Sequence, residues 1–145
     1  MGHAYVSNFV HCVFSTKDRA PLIDNPEHLW AYIYGIAENH RVPLLAAGGM
    51  PDHAHLLVAL PATIALADLI NKLKTNSSRW MSERGVAFAW QEGYGAFSVS
   101  PSQVPVVKEY IRNQAEHHKK RNFEEEFLTL LKKSGIEYDP KYVFG

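Results

Sequence analysis

The sequence predicts an α+β domain of the ferredoxin-like, or RRM-like, βαββαβ plan: an antiparallel sheet with helices on one face. Strand-like and helix-like segments alternate in that order without repeats, low-complexity tracts or an obvious linker. A chain of 145 residues with 46% hydrophobic content is long enough to bury one core. A third observation modifies the plan. The run from His53 to Leu60 does not alternate apolar with polar, so the sheet face that this plan leaves open needs a cover. A helix at about residues 103–118 is the candidate. The expectation is one domain over 1–145, with the core at about 5–100, the covering helix next, and a last helix at about 123–133.

Taken in order, Tyr5 to Ser15 is rich in Val, Phe and Tyr and reads as the first strand, closed by the polar loop "STKDR". Asn25 can cap a helix with Pro26 at its first position, and Leu29, Trp30, Ile33, Ile36 and Ala37 form its apolar stripe to about His40. Val42 to Ala47 and His53 to Leu60 are two strands joined through "GGMPD". Leu66, Leu69, Ile70, Leu73, Ser77 and Trp80 recur at helical spacing, and Gly85 is placed to end that helix. Gly95 to Ser100 is the fourth strand, and "SPSQVP" leads into the covering helix. Asn122 with Glu125 spells a capping box for the last helix, which is acidic at its start and carries Lys132 and Lys133 near its end.

Composition excludes several classes. Lys plus Arg and Asp plus Glu both total 15, so any basic surface must be local. Cys12 is the single cysteine, which rules out an internal disulfide and a Cys-based zinc cluster and fits a reducing compartment. The N-terminal stretch has neither a basic n-region nor a long uncharged apolar run, so a cytoplasmic protein is expected.

The residues that carry chemistry are concentrated in two segments. In "MPDHAHLLVAL" His53 and His55 lie two apart, so on a strand both imidazoles project from one face, toward the covering helix. Within that helix Tyr110 and Gln114 are one turn apart on one face. A carboxamide oxygen from Gln114 could join two imidazole nitrogens around a metal with positions left open, the phenol of Tyr110 beside it. Spacing alone leaves other readings open: the histidines as a hydrogen-bonded pair, Tyr110 as a core residue. Asp52, preceding His53, is expected to point to the opposite face. His11 and Cys12 also face opposite ways, so a packed thiol is expected there, and His117 and His118 suit a solvated, phosphate-facing role.

These segments resemble the single-tyrosine HUH transposases of insertion sequences that move as single-stranded DNA, including their REP-associated relatives. "DHAHLLV" is similar to the family's His-apolar-His motif, with Ala54 a small middle residue; "HCVFSTKDR", "DLINKLKTNSSRWM", "WQEGYGAFSVS" and "YIRNQAEHH" follow in the family's order. The resemblance implies His53 and His55 as metal ligands, Gln114 as the third, Tyr110 as nucleophile, and Mg2+ or Mn2+ as the ion. It implies cleavage and rejoining of single-stranded DNA through a 5′-phosphotyrosine, hairpin-containing element ends as substrate, and a homodimer. "SVSPSQVP" would let the Tyr110 helix dock on its own chain or on its partner.

DNA contact would come from Lys17 and Arg19 in the first loop, from Lys72, Lys74 and Arg79 in the second helix, and from Arg112, Lys119, Lys120 and Arg121 around the covering helix. Lys108 and Arg84 read equally as solvated charges, and Trp90 and Tyr94 are candidates for base stacking. Two other classes compete. A noncatalytic RRM-like module would need exposed sheet aromatics and an "RGFGFV"-like strand, which the sequence lacks. A metal-dependent hydrolase would use His53, His55 and Asp52 to activate water.

Overall fold

A computed structural model of the chain describes residues 2–117 and 121–144. Four strands form one antiparallel sheet: β1 (Phe9–Ser15), β2 (Leu44–Met50), β3 (His53–Ala59) and β4 (Gly95–Val99), in the order β2-β3-β1-β4. Helix α1 (Pro26–Asn39) connects β1 to β2, and α2 (Leu66–Glu83) connects β3 to β4. This is the βαββαβ arrangement that the periodicities predict.

Alternation along the central strands sorts the core into two layers. Val10, Cys12 and Phe14 of β1 and Ala54, Leu56 and Val58 of β3 pack against Leu29, Ile33, Leu69, Ile70 and Leu73 of α1 and α2. The alternate residues turn to the other face, where Leu57 packs with Ala46 and Ile111, and Val13 with Phe97, Phe123 and Leu131. All of His53 to Val58 is buried, which is why that stretch reads as apolar on both sides.

Two separate helices cover the second face. Helix α3 (Val104–Arg112) lies across β2, and α5 (Phe123–Lys133) lies against β1 and β4. Glycines permit both approaches. A Cβ on Gly48 would collide with the Ile111 carbonyl, and one on Gly95 would come within 2.7 Å of the Phe127 ring. Helix α5 starts with the expected capping box: Asn122 Oδ1 accepts from the Glu125 amide at 2.9 Å, and the Glu125 carboxylate accepts from the Asn122 amide.

Several boundaries differ from expectation. The covering helix is not continuous: a 3-10 turn at Pro101–Gln103 precedes α3, and Asn113 leaves helical geometry before the short α4 (Gln114–His117). The first strand begins at Phe9, not Tyr5, because Tyr5 has no strand partner and is exposed. β2 runs on through Gly48, Gly49 and Met50, which pair with His55, Ala54 and His53, leaving Pro51 and Asp52 as a two-residue connection. Asn25 makes no capping bond, and its side chain faces His28 Nδ1 instead.

Candidate functional site

The second face carries a buried polar network where a core would ordinarily be apolar. Ser15 and Met50 flank His53 in the sheet, and Val13 and Gly48 flank His55, so both imidazoles rise from one end of a central strand with ring centroids 5.1 Å apart. Both are fully buried. Facing them, α3 supplies Tyr110 and the start of α4 supplies Gln114. Gln114 Oε1 lies 3.1 Å from His53 Nε2, and Gln114 Nε2 reaches back to the Tyr110 carbonyl at 3.4 Å. Tyr110 is on its own chain's site, its ring 5.8 Å from that of His55.

A residue that sequence reasoning missed joins these parts. Glu126 of α5 is buried, with Oε1 2.9 Å from His55 Nε2 and 3.4 Å from His53 Nε2. Its Oε2 accepts a short hydrogen bond from the Tyr110 hydroxyl and one from Gln114 Nε2 at 3.3 Å. The sequence did contain a signal: Glu126 stands between Phe123 and Phe127 on the apolar stripe of an amphipathic helix, where a charge needs a partner.

The outer ring nitrogens are also held. Asp52 Oδ1 sits 2.7 Å from His53 Nδ1, which corrects the expectation that Asp52 points away; β3 begins at His53, so Asp52 belongs to the turn and escapes strand alternation. His55 Nδ1 meets His11 Nε2 at 2.8 Å. His11 is a second residue the sequence reading left out of the site. Cys12, its neighbour, is a buried free thiol on the other face.

Electrostatics follow from these contacts. Burial disfavours the His53 cation, but the hydrogen bonds to Asp52 and Glu126 outweigh it and raise the pKa to about 9. Burial would raise the Glu126 carboxyl, yet its bonds to His53, His55 and Tyr110 hold it well below the usual carboxylate range. Burial and the Glu126 carboxylate push the Tyr110 phenol up, opposed by Arg121, whose Nη2 lies 3.5 Å from the hydroxyl. His11 falls to about 3 through burial and the neighbouring His55, so it stays neutral.

The donor chemistry fits a divalent cation. Ligand atoms of His53, His55 and Glu126 all lie within 4.8 Å of one another, and Gln114 Oε1 faces the same space. Asp52 and His11 fix the imidazoles from behind, as partners of metal-bound histidines do. Two imidazoles with carbonyl and carboxylate oxygens leave further positions open and suit Mn2+ or Mg2+ better than a thiolate set would.

The sequence profile of the IS200-like transposase family matches residues 5–114, which span the whole sheet, α3 and the two histidines. The chain belongs to the IS200-like transposase family. It is similar in structure to a candidate transposase from Deinococcus radiodurans R1, with 26% identity, TM-score 0.61, and coverage of 79% of this chain and 96% of that one. It also shares the fold of a REP-associated tyrosine transposase bound to a REP hairpin, at 15% identity and TM-score 0.60, covering 81% of this chain and 73% of that one. No curated protein sequence matches the chain.

Not every candidate of this family member reaches the site. Lys72 and Arg79 are exposed on α2, across the sheet from the histidines. Lys74 braces the loop before β4, its Nζ donating to the Gln91 and Gly93 carbonyls at 2.8 and 2.6 Å. Arg19 pairs with Glu124 at 2.9 Å and donates to the Phe144 carbonyl, tying down α5 and the C-terminal segment. Trp90 is no free stacking platform: its ring packs on Phe14 and Phe88 and its indole donates to Ser77 Oγ. Lys17, Arg112 and Tyr94 are exposed, and Arg121 stands at the phenol. Lys119, Lys120 and His118 lie outside the described residues. Among the described residues both sheet faces are covered by helices, so they show no open sheet platform of the kind an RRM offers to bases. Among the described residues no helix is long and apolar enough to cross a membrane.

Proposed function

We propose that this transposase cleaves and rejoins single-stranded DNA, with Tyr110 as nucleophile and His53, His55 and Gln114 as ligands of a divalent cation, Mg2+ or Mn2+. The observation that supports this reading most is the convergence of the Tyr110 hydroxyl, two imidazole Nε2 atoms and the Gln114 carboxamide on one buried network. When bound, the cation would polarise the scissile phosphate and stabilise charge on the departing 3′ oxygen.

The chain's own groups do the rest. Tyr110 has an ordinary phenol pKa near 10 before burial raises it further, so the hydroxyl must lose its proton as it attacks. Glu126 Oε2 already accepts that proton's hydrogen bond, and Arg121 stands where it can stabilise either the phenolate or a phosphate oxygen. Attack on phosphorus forms the O–P bond to Tyr110 and releases a 3′-OH. The phosphotyrosine linkage retains the energy of the bond it replaces, so a second 3′-OH can take the strand back without ATP.

The substrate we propose is single-stranded DNA at hairpin-containing element ends, with Lys17, Arg112 and Arg121 as phosphate contacts. Excision and closure need two cleavages whose covalent intermediates coexist, so we propose a homodimer as the working unit. The test incubates the protein with Mn2+ and a 5′-labelled or 3′-labelled hairpin oligonucleotide from the DNA flanking its gene. Label on the downstream fragment should remain with the denatured protein and disappear with EDTA. Cleavage without any adduct would favour the water-attack hydrolase and reject Tyr110 as nucleophile.

A further inference from the structure

We infer that Glu126 is an anionic metal ligand delivered by the C-terminal helix, so that docking of α5 completes the metal site. This rests on the divalent-cation reading above and deepens it. The family match ends at residue 114, and within the matched segment the proposed donors are His53, His55 and Gln114, two imidazoles and a carboxamide. Such a set carries no charge in its metal-binding form. A divalent cation buried among neutral donors lacks the compensating anion that a buried charge requires.

Glu126 has the position for that role. It is 0% exposed, and its Oε1 lies 2.9 Å from His55 Nε2 and 3.4 Å from His53 Nε2. These are the ring nitrogens left to a metal once Asp52 and His11 hold the opposite ones. Asp52 acts on the far side of the His53 ring, so Glu126 is the acid that faces the ligand space itself. His53, His55 and Glu126 are also the one metal-capable cluster of acidic, histidine and cysteine side chains among the described residues. The carboxylate's other oxygen bonds the Tyr110 hydroxyl and Gln114. One side chain therefore ties the nucleophile to the ligand set.

The delivery is built, too. The Phe123 ring packs on His53 at 4.6 Å, Phe127 fills the space that Gly95 leaves, and the capping box fixes the first turn of α5 at Glu125, the residue before Glu126. Arg19 holds the same turn from outside through Glu124.

The experiment is calorimetric titration of Mn2+ into the full-length protein without DNA, comparing wild type with Glu126→Gln, His53→Ala and Glu83→Gln. Glu126→Gln keeps hydrogen-bonding capacity but removes the charge, and should weaken Mn2+ binding by about tenfold or more. Glu83→Gln, exposed at the end of α2 across the sheet from the network, should leave it within about twofold. Wild-type affinity in Glu126→Gln, with binding lost in His53→Ala, would overturn the Glu126 assignment while sparing the metal reading. No binding by the wild type would overturn both. To guard against a misfolded variant, pulsed ENDOR on Mn2+-loaded wild type, 13C-labelled at glutamate carboxyls, should give the strong coupling of a directly bound carboxylate. Weak through-space coupling alone would overturn the assignment.

Discussion

Leu56 and His55 are neighbours on β3, equally buried and turned to opposite faces of the same sheet. Leu56 enters an apolar layer that α1 and α2 close with Leu29, Ile33 and Leu69. His55 enters a layer in which a carboxylate, a phenol, a carboxamide and three imidazoles satisfy one another, all buried except the half-buried phenol. Burial on the first face yields stability directly. On the second it desolvates charges that only their partners compensate, so that face is poised for a ligand and costs stability when any one partner is removed.

The two faces should differ most at Tyr110. Tyr110→Phe removes the hydroxyl and preserves packing, so covalent capture of DNA should fall by roughly 10^4-fold or more while hairpin binding stays close to wild type. Adduct formation at an undiminished rate, read on a denaturing gel, would remove the second face from the chemistry.

Core truncations should divide the faces in the other direction. Leu56→Ala should destabilise the fold by about 3 kcal/mol in urea denaturation and leave Mn2+ affinity unchanged in the protein that remains folded. Phe123→Ala, at the junction of α5 with His53, should lower stability and metal affinity together. If both variants lose affinity equally, the two faces are not independent.

A smaller effect is expected in pH dependence. His53 is raised to about 9, so its contribution to the stability of the metal-free protein is complete below about 6.5 and is lost as pH rises through about 9. Glu126 is shifted the other way: its contribution is present above about 4.5 and is lost as pH falls into its depressed range. Thermal melts in chelator should show a decline on the alkaline side that His53→Gln flattens. Leu56→Ala should lower the whole curve without changing its shape, and a wild-type curve flat from pH 6 to 9 would contradict the network's charge state.

The smallest effects belong to surface charge. Arg121→Ala, beside the phenol, should weaken hairpin binding severalfold and reduce its salt dependence, whereas Lys72→Ala and Arg79→Ala, across the sheet, should change it by less than about twofold. Equal losses from both groups would mean that DNA wraps the α2 face as well.

The fold class was legible because its signals are local: Pro26 at a helix start, the stripe from Leu66 to Trp80, the capping box at Asn122. The doubly buried β3 also announced that something covers the second face. That two helices share the cover was not legible, since the glycine approaches at Gly48 and Gly95 depend on chain segments far apart in sequence. In the site, His53, His55, Tyr110 and Gln114 stood out through spacings of two and four residues. Glu126 and His11 did not, because their relation to the histidines exists only in the folded sheet. Strand alternation, applied to Asp52 one residue beyond the strand, gave the wrong face, and the contacts that Lys74, Arg19 and Trp90 make within the fold cannot be read from residue type.

The most direct test of the account is to trap the protein on a hairpin substrate, digest both components, and locate the nucleotide remnant by mass spectrometry. A 5′-phosphodiester remnant is expected on the peptide containing Tyr110. Tyr94 and Tyr138, which lie outside the Glu126 network, should be unmodified. A remnant on either of those tyrosines, or strand cleavage with no modified peptide, would contradict it.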